Sequence, residues 1–225
     1  MKQKGDKWDI RMKYLGETIF FNILLLMTIA GEFFLPWILK YFYKGYDSRT
    51  MVMSVLGSPE SPVRKIYNIW LVWLGVFLLF VAGVIYYDTR GISVLLAIVA
   101  FIVIATFAIG AGLLSGIFSV NESKETVTAA SKIHGAGSAI GFMALALFPL
   151  FSAITSFIAN NRSSGIICTI SFVLDIIFFA FFIMGDKPKF EKTVFRYSGL
   201  WERLCLFFMY VPFIYRALDK LFFLN

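Results

Sequence analysis

Six long apolar stretches, each bounded by charged residues, constrain this chain more than any other feature. They run Thr18 to Leu39, Ile66 to Tyr87, Ile92 to Phe118, His134 to Phe157, Gly165 to Met184 and Leu200 to Leu224. A hydrocarbon layer about 30 Å thick takes about 20 helical residues per crossing, so each stretch is long enough to span it. The stretches lack the period-two alternation of barrel strands, and lipid cannot satisfy free backbone groups, so helices are required. With 59% of the residues apolar and a mean hydropathy of +0.79, a soluble fold could not cover the hydrocarbon. The expectation is an all-α membrane protein: residues 1–225 form one polytopic domain, a single bundle of six transmembrane helices.

The charge of +7 does not point to nucleic acid, because the 21 basic residues fall between apolar runs rather than in one stripe. They read as interfacial anchors, with membrane lipids as the expected partners. Asn22, Glu32 and Pro36 interrupt the first run, which also exceeds the 7 to 15 residues of a signal-peptide core, so it is expected to remain as a span. Cys168 and Cys205 lie within apolar runs, show no metal-ligand spacing and fall near opposite faces of the membrane. Packing thiols are expected there, with neither a metal nor a cofactor.

Short connections, Asp88 to Gly91 and Asn160 to Ser164, alternate with three long ones, Lys40 to Lys65, Ser119 to Ile133 and Gly185 to Gly199. Six crossings put all three long connections on one side, opposite both termini. Five basic residues precede the first run (Lys2, Lys4, Lys7, Arg11, Lys13), which favours termini in the cytoplasm of a cell-membrane protein, while Lys187, Lys189, Lys192 and Arg196 pull the other way.

The first long connection reads Gly45-Tyr46-Asp47, then Ser54-Val55-Leu56-Gly57-Ser58-Pro59-Glu60-Ser61-Pro62, and leads into Asn68. Gly116-Ile117-Phe118, His134-Gly135 and Gly199-Leu200-Trp201-Glu202-Arg203 follow. In this order they resemble a bacterial and archaeal membrane family known as domain of unknown function 998, over nearly the whole chain. The resemblance implies six spans with recurrent polar residues on the long-loop side, and it brings no substrate. The Ser54 to Pro62 stretch is also similar to the first loop of a eukaryotic six-span family that includes lysosomal autophagy modulators and factors handling GPI-anchored lipids. Asn121-Glu122-Ser123 departs from the family pattern, standing where an aspartate-containing turn is common.

Among the polar residues, Glu32 is the most informative, since a carboxyl inside a span costs at least about 2.5 kcal/mol and should face the bundle interior. It is either part of a binding or protonation site or a partner for Lys40 or Arg203. Asp175, four residues after Ser171, sits near the middle of the fifth run as a relay or as interhelical glue. The lone histidine, His134, excludes bis-histidine haem and multi-histidine zinc sites. It emerges on the same side as Glu32, Tyr46, Asp47, Ser54, Asn68, Glu202 and Arg203, which makes these eight residues the candidate ligand site. Arg203 could hold a lipid phosphate or Glu32, and Glu202 could cap its helix.

Gly112 with Gly116, and Gly137 with Gly141, are small-xxx-small pairs that predict close approach of the third and fourth helices and bring His134 to Phe118 and Ser119. Catalytic signatures such as Gly-x-Ser-x-Gly, His-Glu-x-x-His and Cys-x-x-Cys are absent from the sequence. The expectation is a membrane protein that holds a lipid headgroup or small amphiphile on the long-loop side. One alternative is a lipid-modifying enzyme with Ser54 or Tyr46 as nucleophile and His134 or Asp47 as base. Another is a small proton-coupled transporter using Glu32 and Asp175, for which a homodimer would supply the second half.

Overall fold

The computed structural model describes residues 11–12, 14–120 and 128–222. Lys2, Lys4, Lys7 and Lys13 of the basic tail, the Asn121-Glu122-Ser123 segment and Leu224 lie outside the described residues.

Helix α1 (Ile19–Leu39) starts where the Thr18 hydroxyl accepts a hydrogen bond from the Phe21 amide. Helices α2 (Arg64–Thr89) and α3 (Val94–Phe107) form the expected hairpin, with Ser93 capping α3 through the Leu96 amide. Helix α3 continues through a π-helical stretch, Ala108–Leu114, into Ser115–Ile117. The fourth run differs from its expectation in two ways. It starts at Ala129 because Thr128 and Ser131 form a capping box, and it breaks at Ala146 and Leu147 into α4 (Ala129–Leu145) and α5 (Phe148–Ile158). Pro149 has no amide proton to give the Leu145 carbonyl, which explains the position of the break. Helix α6 (Arg162–Gly185) is capped by Asn161, and α7 (Ser198–Phe222) contains Pro212.

No strand occurs among the described residues. Five segments are long and apolar enough to cross a membrane: Ile19–Phe42, Arg64–Thr89, Val94–Ile117, Ala129–Ile158 and Arg162–Gly185. The outer surface supports this, since α6 turns Ile166, Ile170, Val173 and Ile177 outward, an apolar face that water would not tolerate. Helix α7 packs along α6 and α1, α2 packs along α3, α4 lies on the π-helical stretch of α3, and α5 lies on α6.

The glycines correct one expectation. Close approach of α3 and α4 is made by Gly110, where any side chain would strike the Gly137 carbonyl, and by Gly141 against Ala111 and Phe107. Gly112 and Gly116 instead face α2: a Cβ on Gly112 would come within 2.6 Å of Gly75 Cα, and one on Gly116 within 2.8 Å of the Asn68 carbonyl. The π-helical winding rotates these glycines away from the face that regular α-helical spacing gives them.

Candidate functional site

A cavity of about 380 Å³ opens at the end of the bundle that carries the long connections. Two carboxyl side chains line it, Glu32 from α1 and Glu202 from α7, together with His134 from α4 and Ser54 from the first long connection. Tyr67, Ser115 and Ser138 add hydroxyl groups, and the remaining wall is mostly Leu, Ala, Phe, Met and Ile. No lysine or arginine stands among the described lining residues.

Each acid is fixed by a neutral donor. The Trp70 indole Nε1 donates to Glu32 Oε2 at 2.6 Å, and the Met53 amide donates to Glu202 Oε2 at 2.7 Å. Both carboxyls are buried, at 3% and 5% exposure, so these bonds hold them in one geometry. His134 Nδ1 donates to the Phe118 carbonyl at 2.8 Å, the contact expected from the α3–α4 approach. In the neutral ring this leaves Nε2 as an acceptor. Ser115 donates to the Gly110 carbonyl at 3.0 Å and therefore accepts from Ser138 at 2.7 Å.

Helices α4 and α6 both line the cavity. These helices make no extensive contact and meet where the Phe142 and Phe182 rings lie 6.2 Å apart. Met143 and Ile183, both exposed, flank this seam.

Arg203 does not enter the cavity. Its guanidinium donates to the carbonyls of Gly199 at 2.6 Å, Ser48 at 2.9 Å and Met51 at 3.4 Å, and to the Tyr46 hydroxyl at 2.8 Å. Its nearest approach to Glu202 is a loose 3.9 Å. Tyr46 in turn donates to the Val52 carbonyl at 3.2 Å, and burial pushes its phenol up to about 12 despite the neighbouring Arg203. A side chain on Gly199 would collide with the Met51 and Ser48 carbonyls, so the loop backbone rests directly on the start of α7. Asp47 accepts from the Arg49 amide at 3.0 Å and from the Thr50 hydroxyl at 2.8 Å in an exposed turn, and these two bonds hold its carboxyl below the usual aspartate range.

A family model described as Protein of unknown function (DUF998) matches residues 28–219. The chain belongs to this family. No curated protein and no solved structure matches it. The matched stretch of the family contains the whole cavity and the loop clamp around Arg203.

Of the eight candidate residues, Glu32, Ser54, His134 and Glu202 therefore share one cavity. Tyr46, Asp47 and Arg203 belong to the loop clamp, and half-buried Asn68 stands aside with its Nδ2 at 3.5 Å from Ser119 Oγ and its Oδ1 beside Gly57. The partner of Glu32 is Trp70; Lys40 lies over the rings of Trp37 and Tyr41 instead. The sequence reading missed Tyr67, Trp70, Ser115 and Ser138. The two serines adjoin Gly116 and Gly137, in the glycine pattern that marks close helix approach. Ser54 has no hydrogen bond to His134 or Asp47 among the described residues, and Tyr46 is a buried structural donor rather than an activated nucleophile.

The opposite end, near the short connections, holds a second and wider cavity of about 900 Å³. Four of its charged residues form two pairs. Arg216 meets Asp88 Oδ2 at 2.6 Å, donates to Asn22 Oδ1 at 2.8 Å and to the Gly16 carbonyl at 3.2 Å, and Lys220 meets Glu17 at 2.6 Å. Among the described residues no group of three or more His, Cys, Asp or Glu could hold a metal ion. Both cysteines are free thiols, buried as expected.

Proposed function

We propose that this protein binds an amphiphile with a cationic head at the long-loop end of the bundle. Two buried carboxyl groups converge on a cavity that has no basic residue in its described lining, and this observation carries the reading. An ammonium group is the complement of that charge pattern. The hydrocarbon tail would lie along Leu71, Ala139, Phe142, Met143 and Phe179, and the seam between α4 and α6 would admit it from the lipid. The cavity suits a single headgroup with a short length of chain. An aminolipid or a free alkylammonium satisfies the same chemistry.

The same reading takes α7 as a sixth crossing, with both termini in the cytoplasm. Twelve uncharged residues, Leu204 to Tyr215, form its centre, and its charged ends are engaged by Met53, the first loop, Asp88, Asn22 and Glu17. Those charges lower the hydropathy of α7, and its contacts along α6 and α1 support placing it inside the bundle.

Thermal unfolding in a neutral maltoside detergent tests the binding proposal. Added dodecyltrimethylammonium should raise the melting temperature, dodecylphosphocholine should have a smaller effect, and Glu32→Gln should abolish the ammonium-specific rise. Equal shifts for both head groups, or an undiminished rise in Glu32→Gln, would overturn the assignment.

A further inference from the structure

The two cavities enter the bundle from opposite ends and stop short of each other. One ends at Leu74, Phe107 and Phe179, the other at Ala100, Phe148 and Pro212. A chain of rings stands between them: Phe107 and Tyr210 at 6.2 Å, Tyr210 and Phe213 at 6.1 Å, Phe213 stacked on Phe148 at 4.3 Å.

Two helix irregularities and one helix-interior proline surround this partition. Phe107 immediately precedes the π-helical stretch of α3, Phe148 opens α5 after the break at Ala146 and Leu147, and Phe213 follows Pro212. A uniform bundle needs none of these. Interrupted helices within a membrane are found packed in protein or lining a water-filled route.

Helix α6 runs past the partition with Ser164, Cys168, Ser171, Asp175 and Phe179 on its inward face, spaced four, three, four and four residues apart. Ser164 and Cys168 line the hairpin-end cavity, and Phe179 lines the other. Asp175 lies between, about 10 Å along the helix from Cys168 and about 6 Å from Phe179. It is 0% exposed, and neither carboxyl oxygen has a hydrogen-bond partner among the described residues. Interhelical glue requires a partner, so packing does not account for a carboxyl in this position.

Among the described residues the surroundings of Asp175 are otherwise uncharged. Cys205 on α7 is the titratable group beside it, and α5, which also packs on α6, buries Phe148, Pro149 and Ala153 and carries no charged residue. On the hairpin side the inward face of α6 is polar: Ser164 lies 2.8 Å from Ser156 of α5 and 4.0 Å from Cys168.

We propose that the two cavities are the ends of one path through the helices, closed by the aromatic partition and crossed by protons at Asp175. The neutral acid gives its proton to water admitted from the hairpin end past Cys168 and Ser171. The carboxylate left behind takes a proton from the long-loop side, where Glu32 and Glu202 stand. One proton has then moved, the acid is restored, and no other bond has changed. Displacement of Phe148 and Phe213 is the opening step, and the proton gradient sets the direction. None of this requires an amphiphile in the long-loop cavity.

Vesicles loaded with a pH-sensitive dye and given a potassium diffusion potential with valinomycin test the proposal on the full chain. The wild-type protein should admit protons faster than protein-free vesicles, Asp175→Asn should fall to the protein-free rate, and Asp175→Glu should retain flux. Phe213→Ala, which thins the partition, should exceed wild type, and its readout stands even if Asp175→Asn does not fold. Wild-type flux at the protein-free level, equal flux in well-folded Asp175→Asn, or no gain in Phe213→Ala would each overturn it. Asp175→Asn should keep the ammonium-specific thermal shift, so failure of the path and failure of the binding assignment are separable.

Discussion

At the hairpin end Arg216 meets Asp88 at 2.6 Å, whereas at the long-loop end Arg203 turns its guanidinium onto backbone carbonyls and leaves Glu32 and Glu202 to an indole and an amide. Both regions contain acids and an arginine, the two arginines at similar burial, and both enclose a cavity. The difference lies in whether opposite charges come into close contact, as at 2.6 Å for Arg216 and Asp88 against a loose 3.9 Å for Arg203 and Glu202. Where they do, the ends of α1, α2 and α7 are tied together and the charge is consumed by structure. Where they do not, the acids keep unspent capacity facing the cavity, which is what a binding site for a cation requires.

Removing each arginine breaks the comparison most strongly. Arg216→Ala leaves Asp88 and Asn22 without their cation, and loss of one partner from a largely buried pair costs about 3 kcal/mol. Arg203→Ala costs about 2 kcal/mol, since it strands carbonyl groups that water can partly reach. Thermal unfolding in detergent should rank them in that order. Limited proteolysis should cut residues 46–54 faster in Arg203→Ala alone.

Neutralising one acid at each end sharpens it. Asp88→Asn should destabilise by about 1 to 2 kcal/mol, because Arg216 loses its anion but keeps an oxygen acceptor. Glu32→Gln retains an acceptor for Trp70 and should change stability by less than about 1 kcal/mol. Ammonium binding should respond in reverse, lost in Glu32→Gln and kept in Asp88→Asn. If both variants lose both properties together, the two ends are not separate in function.

The smallest effect concerns Asp47. Its folded value lies below the 3.8 of a free aspartate, so its stabilisation is complete above about pH 4 and is lost as the pH falls through the folded value. Because Asp47 is exposed, the change should be slight. Protease sensitivity of residues 46–54 should rise below pH 4 in the wild type, and in Asp47→Asn it should already be raised at neutral pH.

The position of Glu32 was legible in the sequence because a carboxyl within an apolar run has to turn inward, and the shared side of Glu32, Ser54, His134 and Glu202 follows from run order alone. Trp70 as the partner was not legible, since run lengths do not give the rotation of α2 about its axis. Gly112 and Gly116 announce a close neighbour without naming it, and the π-helical stretch that turns them to α2 has no periodic signature. Pro149 did carry a local signal for the break in the fourth run. Asp88 and Arg216 are 128 positions apart, so their pairing depends on how the α2–α3 hairpin docks on α7, which no local pattern encodes.

The stretch Ala108–Leu114 holds one more residue than an α-helix of equal height would. Loss of any single residue there would let it close into regular α-helix and swing everything after it by about 100°. Ser115 would leave Ser138, and the Phe118 carbonyl would leave His134, while every cavity side chain remained in the sequence and the hydropathy profile scarcely changed. A one-codon deletion could therefore silence this protein while a profile of its greasy segments still reported it intact.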